Sequence, residues 1–298
     1  MSTLSLNRLA TKFSGKVTLR TVLIVPFVLQ VFAAVGLVGY LSFRNGQKAV
    51  NDLASQLMSE VSNRIEQNLR TYLQTPHLIN RSKLDSVKLG FLNMKNLSAW
   101  EKYLWRQVQL YPYINFTSIG NKDGEYRTGE KMSDGTLLIN ASGASTGFDF
   151  YSFNTNDTGD RTTVAATVKN FDIRQHPSYT YAALESKPTW SSVYVSFLEP
   201  TLILSALQPV YDRENKLEAV LVSALRLDAI GSFLNSLKIG KSGQTFIIER
   251  NGTLLATSSP EKPFRTQNDQ RELFKVAESS DAVTQATAKY LATQFQDL

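Results

Sequence analysis

One long apolar run near the start constrains this chain more than any other feature. Residues 21–43 read TVLIVPFVLQVFAAVGLVGYLSF and contain no charged side chain, and Arg20 and Arg44 flank them. As a helix that rises about 1.5 Å per residue, the run would be about 34 Å long, which is enough to cross the apolar core of a bilayer. The run therefore predicts a transmembrane helix over 21–43.

Two other interpretations of the apolar run remain open at this point. A cleaved signal peptide usually has an apolar core of about 7–15 residues, followed by a cleavage site of small residues. Here the run is longer, and its small residues, Ala33 to Gly36, lie in the middle. A buried helix of a globular domain is the second alternative. The length favours a retained membrane anchor.

Charge on either side of the run predicts its orientation. Residues 1–20 carry basic side chains and no acid, whereas the other flank mixes basic residues with Asp52 and Glu60. Positively charged flanks stay in the cytoplasm. We therefore expect a cytoplasmic basic tail over 1–20, a plasma (inner) membrane location, and an extracytoplasmic body over 44–298.

Composition argues against several functional classes. The chain has no cysteine and only two histidines, His77 and His176, so we expect no disulfide, no metal site and no cofactor. The net charge of +6 is modest and no basic stripe is interleaved with aromatics, so nucleic acid is not an expected partner. No nucleophile motif, nucleotide loop or paired-carboxylate pattern indicates an enzyme.

A long helical pattern follows the apolar run. Apolar residues recur every three to four positions, and no proline interrupts them before Pro76. Residues 81–111 are predicted to be further helix, with Ser98 as N-cap and Glu101 completing a capping box. We expect a helical stalk over 44–112 and a homodimer along its apolar stripe, although packing against its own domain alone is possible. The stripe contains Val50, Leu53, Leu57, Val61, Ile65 and Leu69.

From Tyr113 the hydrophobic period changes from helical to strand-like. Alternation and turn residues predict an antiparallel sheet with a helix over 177–185 inserted and another over 229–237. The strands are expected over 113–119, from 125 onwards, and over 135–140, 148–153, 190–197, 202–210 and 217–227. Residues 162–168 are expected to form another strand or a rim loop.

A second, shorter lobe follows. The hairpin over 244–257 repeats the arrangement of the earlier hairpin around Gly124, which indicates two lobes of one architecture in tandem. After it we expect one helix over 269–278 and a polar tail. Because a single hairpin leaves sheet edges uncovered, we expect the second lobe to be incomplete and the chain to stop short of its natural end.

Several local stretches resemble the extracytoplasmic double Cache sensors of bacterial transmembrane receptors. Residues 172–179, DIRQHPSY, are similar to the family's Asp-Pro-Arg-x-Arg-Pro-Trp-Tyr stretch. Residues 187–194, 208–212 and 238–246 resemble later family stretches in the right order, and residues 19–51 resemble cyanobacterial sensor kinases and cyclases. The resemblance implies an α+β fold: a transmembrane helix continues into a long stalk helix, followed by two PAS-like antiparallel-sheet lobes in tandem. The membrane-distal lobe would cover 113–236 and the incomplete proximal lobe 237–298.

The resemblance also implies a receptor function. A small-molecule ligand would enter the distal lobe, between its sheet and the loop and helix that begin near Asp172. A second membrane helix would lead to a cytoplasmic histidine kinase or a nucleotide cyclase, neither of which is in this chain. The competing interpretation is a membrane-anchored structural or scaffold protein that binds no ligand.

The candidate ligand-binding residues lie in and after the stretch that begins at Asp172. A guanidinium and an imidazole could bind an anion, and flat aromatic rings often line pockets. Each also has a purely structural interpretation, such as pairing of the arginine with Asp172. The candidates are Arg174, His176, Tyr179, Trp190 and Tyr194.

The family's amino-acid motif is degraded in this chain. His176 stands at the family's arginine position and Ser178 at its tryptophan position. Ser196 and Ala224 stand where the resemblance implies acids that hold the ligand's amine. The sequence therefore does not predict an amino acid as the ligand, and the ligand's identity stays open.

Overall fold

The computed structural model describes residues 18–196, 198–237, 239, 243–267 and 270–295. Most of the predicted basic tail, and part of the family-like stretch 238–246, therefore lie outside the described residues. The chain divides into two compact units, 1–64 and 65–298. The described part of the first unit is helix, and its apolar side chains are exposed over 21–43.

A single helix, α1 (Leu19–Lys88), contains the apolar run and the stalk pattern. The predicted continuation of the apolar run into the stalk pattern is confirmed, since both lie in one helix. Pro76, the first proline of the stalk pattern, lies inside this helix. A proline inside a helix removes one backbone hydrogen bond. Here Pro76 is buried between Tyr72 and Ile79, which are themselves buried, so packing offsets that loss.

The predicted helix over 81–111 is interrupted. Gly90, in the left-handed region at φ +80°, ends α1, and the backbone N–H of Phe91 donates to the carbonyl of Ser86. After a short 3-10 turn, α2 (Trp100–Leu110) begins without a side-chain cap. The expected capping box is therefore wrong: Glu101 instead accepts hydrogen bonds from Arg127 at 3.0 Å and Arg161 at 2.8 Å.

One large antiparallel sheet follows, in the strand order β5-β4-β3-β2-β1-β9-β8-β6, and β7 also pairs with β8. Most predicted strands are confirmed within a few residues, but the strand expected over 190–197 is two short ones. The elements are β1 (Ile114–Asn121), β2 (Tyr126–Lys131), β3 (Leu137–Ser142), β4 (Phe150–Thr155), β5 (Arg161–Val168), α3 (Pro177–Glu185), β6 (Thr189–Trp190), β7 (Tyr194–Val195), β8 (Leu202–Tyr211) and β9 (Leu217–Arg226).

The two faces of this sheet bury different cores. On one face, Ile119 and Leu221 pack with Trp100 and Leu104 and with the end of α1. A Cβ at Gly129 would lie 2.5 Å from the Leu104 backbone, so only glycine lets α2 pack this closely on β2. On the other face a second cluster packs beneath α3 and the segment before it, formed by Tyr126, Phe150, Ile173, Tyr179, Ala182, Leu207, Val220 and Val222.

The remaining elements follow β9 along the chain. They are α4 (Asp228–Ser236), β10 (Phe246–Ile248), β11 (Leu254–Thr257), β12 (Phe264–Gln267), β13 (Gln270–Leu273) and α5 (Ala282–Gln294). The hairpin over 244–257 is confirmed by the pairing of β10 with β11.

The prediction for the last part of the chain is wrong. Instead of a helix over 269–278, β13 pairs with β12, and the alternating residues Phe274 and Val276 are buried. The expected polar tail forms α5. Its N-cap is Asp281, whose carboxylate accepts a hydrogen bond from the Thr284 N–H at 2.8 Å.

Candidate ligand-binding site

A small enclosed cavity lies on the α3 side of the large sheet. Strands β1 to β4 form its floor, the segment from Phe171 to Ser178 covers it, and β7 lies at its edge. We call this space the distal cavity. Its volume is about 40 Å³, room for a few water molecules.

A polar row crosses the floor of the distal cavity. The strand registers pair Ser118 with Thr128, and Thr128 with Asn140, so these side chains lie side by side on one face. Glu130 follows two positions after Thr128 and therefore points to the same face. Three neighbouring strands thus place four polar side chains beneath the covering segment, Phe171 to Ser178.

Aromatic rings enclose this polar row. The Phe171 ring centroid lies 5.5 Å from that of Tyr126 and 5.1 Å from that of Phe150. The Tyr194 hydroxyl lies 3.0 Å from Ser205 Oγ, which holds the phenol ring at the cavity edge. The resulting site is apolar at its walls and polar at its floor, as small-molecule sites commonly are.

Glu130 is the acidic group of the cavity. It is 5 % exposed, and Oε2 accepts a hydrogen bond from Asn140 Nδ2 at 2.6 Å. Within the described residues, no cation forms an ion pair with it. Burial raises the pKa of Glu130 to about 7; the charge of Glu199 adds to the rise, while Asn140 and Arg226 oppose it. The carboxyl group therefore titrates near neutral pH.

Asn140 provides a second acceptor on the cavity floor whose hydrogen-bonding capacity is not satisfied. The residue is 1 % exposed, and its Oδ1 accepts no hydrogen bond from any residue that the structure describes. An unsatisfied buried polar atom costs about 1–3 kcal/mol. The floor therefore contains an acceptor that a bound donor would satisfy.

His176 lines the cavity as a neutral side chain. Its Nδ1 accepts a hydrogen bond from the Ser178 N–H at 3.3 Å and lies 2.8 Å from Ser178 Oγ, so His176 caps the N-terminus of α3. Because Nδ1 is an acceptor, the proton of the neutral ring is on Nε2. Burial lowers the pKa of His176, which keeps the ring uncharged at neutral pH.

Family membership follows from the sequence as a whole. The model of the Cache domain, in its double form, matches residues 46–294. This chain belongs to the double Cache family. Cache domains are sensory, ligand-binding modules, and among the described residues no cluster of His, Asp and Glu is placed to hold a metal ion.

Solved structures of Cache sensor domains are similar to this chain at low identity. The ligand-binding domain of the Pseudomonas aeruginosa PAO1 amino-acid chemoreceptor PctC, in complex with GABA, is 15 % identical, with 74 % of this chain and 79 % of that one covered and a TM-score of 0.46. The ligand-binding domain of the Campylobacter jejuni chemoreceptor Tlp3, in complex with 4-methylisoleucine, is 10 % identical, with coverage of 71 % and 80 % and a TM-score of 0.45. No curated protein matches the chain.

The structure brings two of the five predicted site residues into the distal cavity of this Cache chain, His176 and Tyr194. Ser178 and Ser196, which stand at positions of the family motif, also line it. Ala224, the third degraded position, is fully buried on β9 next to Phe116 in register. The binding roles of these residues stay predictions.

The other three predicted residues lie elsewhere. Arg174 forms a two-pronged ion pair with Asp172, with contacts of 2.9 and 2.8 Å, and its side chain is 45 % exposed. Tyr179 packs into the hydrophobic cluster beneath α3. The Trp190 ring lies 4.6 Å from the His77 ring of α1, in a different cluster.

Glu130 and Asn140 were missed by sequence reasoning. Both lie on strands whose alternation was visible, since Tyr126, Thr128 and Glu130 occupy every second position after a predicted turn. That alternation could have shown that Glu130 shares a face with apolar core residues. It could not have shown which side of the sheet carries the cavity.

Proposed function

We propose that this Cache chain is the membrane-anchored extracytoplasmic sensor region of a signal-transduction receptor, with a small-molecule ligand in the distal cavity. One observation carries the proposal: the cavity floor buries a carboxylate without a cationic partner and an amide oxygen without a donor, within the described residues. Native proteins satisfy most buried polar groups internally. A site that leaves such groups open is suited to a ligand that completes them.

Exposure of the apolar run supports anchoring. Phe27, Phe32 and Val35 are 67 %, 72 % and 66 % exposed on α1. Among the residues that the structure describes, one helix is long and apolar enough to span a bilayer, and it lies near the N-terminus. A contiguous apolar surface of this kind is typical of contact with lipid. The basic flank supports a cytoplasmic N-terminus.

The stalk supports a homodimer. Val50, Leu53 and Leu57 are 64 %, 65 % and 53 % exposed, one to two turns apart on α1. A second copy of the same stripe would cover them.

Signal transfer would use the link between α1 and the sheet. Asn80 Nδ2 donates to the Ala206 carbonyl at 2.8 Å, and Lys83 Nζ donates to the Val222 carbonyl at 2.7 Å. A ligand would shift the receptor between two arrangements only through its different affinity for them. The output would be a cytoplasmic kinase or cyclase outside this chain.

The membrane topology is tested by single-cysteine labelling. Labelling is specific for the introduced residue because the chain has no cysteine of its own. Leu184→Cys places a thiol at a position that is 81 % exposed, and Ser2→Cys marks the N-terminal tail. In intact cells, a membrane-impermeant maleimide should label Leu184→Cys and should label Ser2→Cys only after lysis. The opposite pattern would overturn the extracytoplasmic assignment.

Dimerisation is tested by oxidative cross-linking in membranes. Leu53→Cys should form a disulfide-linked dimer, whereas Ser55→Cys, about 200° further round the helix, should not. Equal cross-linking of both variants would argue against an interface along this stripe.

Ligand binding is tested by a thermal-shift screen of small molecules on the full chain in detergent. Ser196→Trp fills the cavity rim, and Ser236→Trp is the control at an exposed position on α4. Compounds that raise the Tm of the wild type and of the control, but not of Ser196→Trp, would place binding in the distal cavity. Hits that stabilise all three proteins equally would contradict that location.

A further inference from the structure

The distal cavity leaves two kinds of group open: the acceptor oxygens of Glu130 and Asn140, and the hydroxyls of Ser118 and Thr128, which can donate as well as accept. Glu130 has one hydrogen-bond donor among the described residues, Asn140 Nδ2, which reaches only Oε2. Asn140 Oδ1 accepts nothing from them. The rings of Tyr126 and Phe171 add electron-rich faces beside these oxygens. A ligand that completes Glu130 and Asn140 must therefore donate hydrogen bonds and tolerate negative potential.

The nearby basic side chains do not supply positive charge to these oxygens. Arg174 is turned to Asp172 outside the cavity. Arg226 pairs with Glu199 at 3.4 Å and with Asp228 at 2.8 Å. His176, the basic side chain among the cavity-lining residues, is held neutral by burial and uses Nδ1 to cap α3.

We infer that the distal cavity binds a small organic amine as its ammonium cation, with Glu130 as the counter-ion. This rests on the proposed function, which places the ligand in this cavity. The ammonium N–H groups would donate to the Glu130 carboxylate and to Asn140 Oδ1. The cation would also gain from the aromatic faces, an interaction of about 1–2 kcal/mol at a desolvated site.

A ligand carboxylate would find hydroxyl and imidazole N–H donors in the same space, but no cationic partner among the described residues that line it. His176 and Ser178 carry no positive charge, and Ser196 provides only a hydroxyl at the rim. An isolated carboxylate is costly to bury, and here it would also face Glu130. The chemistry therefore favours an amine without an acid group over an amino acid.

Size limits the ligand further. About 40 Å³ accommodates a few non-hydrogen atoms in this conformation. Ethylamine, with three such atoms, is a suitable probe of the ammonium class, and acetate and L-alanine are the matched probes for an acid and for an amino acid.

Affinity for the cation should depend on pH, because only ionised Glu130 is a counter-ion. The groups around Glu130 are the phenols of Tyr126 and Tyr194, the His176 ring, and the charges of Glu199 and Arg226. Ethylamine stays protonated at neutral pH. With the pKa of Glu130 raised to about 7, the ionised fraction, and with it the affinity, should rise about tenfold from pH 6 to pH 8.

The experiment is isothermal titration calorimetry of ethylamine hydrochloride into the full chain in detergent micelles, at pH 6 and pH 8. Glu130→Gln should weaken binding at least tenfold at pH 8 and remove its pH dependence. Glu218→Gln, which removes an acid paired with Lys122 elsewhere on the sheet, should bind like the wild type. Glu130→Asp, which keeps the charge, should retain part of the affinity. This variant controls for the case in which Glu130→Gln binds weakly only because it misfolds.

Two results would overturn the amine inference. One is equal ethylamine affinity in the wild type and Glu130→Gln. The other is binding of acetate or L-alanine without binding of ethylamine, which would leave the sensor proposal intact. If the screen also finds no compound that depends on Ser196, both the amine inference and ligand binding in the distal cavity fail.

Discussion

The two faces of the large sheet both bury polar side chains, but they complete them differently. On the α1 face, Lys83 is fully buried, and its Nζ donates to Thr117 Oγ1 at 2.6 Å, to the Val222 carbonyl at 2.7 Å and to the Ser118 carbonyl at 3.3 Å. The Lys83 amine therefore has three hydrogen-bond partners inside the protein. On the cavity face, Glu130 has a single hydrogen-bond donor and no ion-pair partner, and Asn140 Oδ1 accepts no hydrogen bond, within the described residues.

The difference shows what a buried polar group is used for. A fully partnered group locks one element to another, and Lys83 and Asn80 do this between α1 and the strands. A partly partnered group costs stability until something binds. The same sheet therefore has a structural face and a receptive face, on opposite sides of the same strands.

Removal of Lys83 should have the largest effect. Lys83→Ala removes three buried hydrogen bonds and leaves a space where the side chain lay, so we expect a loss of about 3–5 kcal/mol in the free energy of unfolding. Lys83→Met, which refills the space, should lose less. Chemical denaturation of the full chain measures both, with Lys88→Ala at an exposed position of α1 as the control. A loss no greater than that of the control would show that the α1 face is not locked by this contact.

Titration of Glu130 should have the next largest effect on stability. Its pKa is raised by burial from 4.5 to about 7, so the folded state favours the protonated form. The penalty for ionisation is absent below the unfolded pKa, grows as pH rises from about 4.5 to 7, and amounts to about 3 kcal/mol above that. The wild type should therefore lose stability over this range.

Glu130→Gln should lack this pH-dependent loss and be more stable than the wild type at pH 8, as measured by denaturation at pH 5 and pH 8. Glu218→Gln serves as the control, since its carboxylate pairs with Lys122 instead. Parallel pH profiles for the wild type and Glu130→Gln would contradict a strained carboxyl group on the receptive face.

Gly129→Ala tests the close packing on the structural face. The new Cβ would lie 2.5 Å from the Leu104 backbone, so α2 must move, and we expect a loss of about 2 kcal/mol. Gly46→Ala is the control, because nothing lies within 4 Å of its Cβ. If both variants unfold at the same denaturant concentration, α2 does not pack on β2 as described.

The smallest expected effect is the loss of the α3 cap. His176→Ala removes the acceptor of the Ser178 N–H and should cost about 1 kcal/mol of stability. His176→Asn keeps a cap acceptor and should recover most of the loss. Thermal unfolding measured at pH 8 separates this effect from histidine titration. An unchanged Tm for His176→Ala would show that the cap contributes little to the lid over the receptive face.

Local sequence signals predicted much of the fold. Unbroken helical periodicity predicted the continuous course from the apolar run into the stalk, and alternation predicted most strands of the sheet. Pro177 predicted the start of α3, since proline suits a first helical position. The possible pairing of Arg174 with Asp172 was also accessible, because the two residues are close in sequence.

Local conformational preferences did not decide the structure where contacts between residues distant in the chain outweigh them. Pro76 remains inside α1 because buried neighbours hold the helix on either side of it. The segment before α5 pairs as β13 because Phe274 and Val276 find burial in the second lobe. The aromatic candidates Tyr179 and Trp190 lie in separate clusters, which their residue types alone could not reveal.

The sequence by itself determined the anchor-like run, the long helix, most strands of the large sheet and the Cache family, because these depend on periodicity and on short motifs. Only the tertiary structure decided which side chains meet. Ser118, Thr128 and Asn140 are distant in the chain and are aligned by strand register alone. The charge state of Glu130 depends on how deeply the completed fold buries it, because the cost of ionisation is set by the lost contact with water.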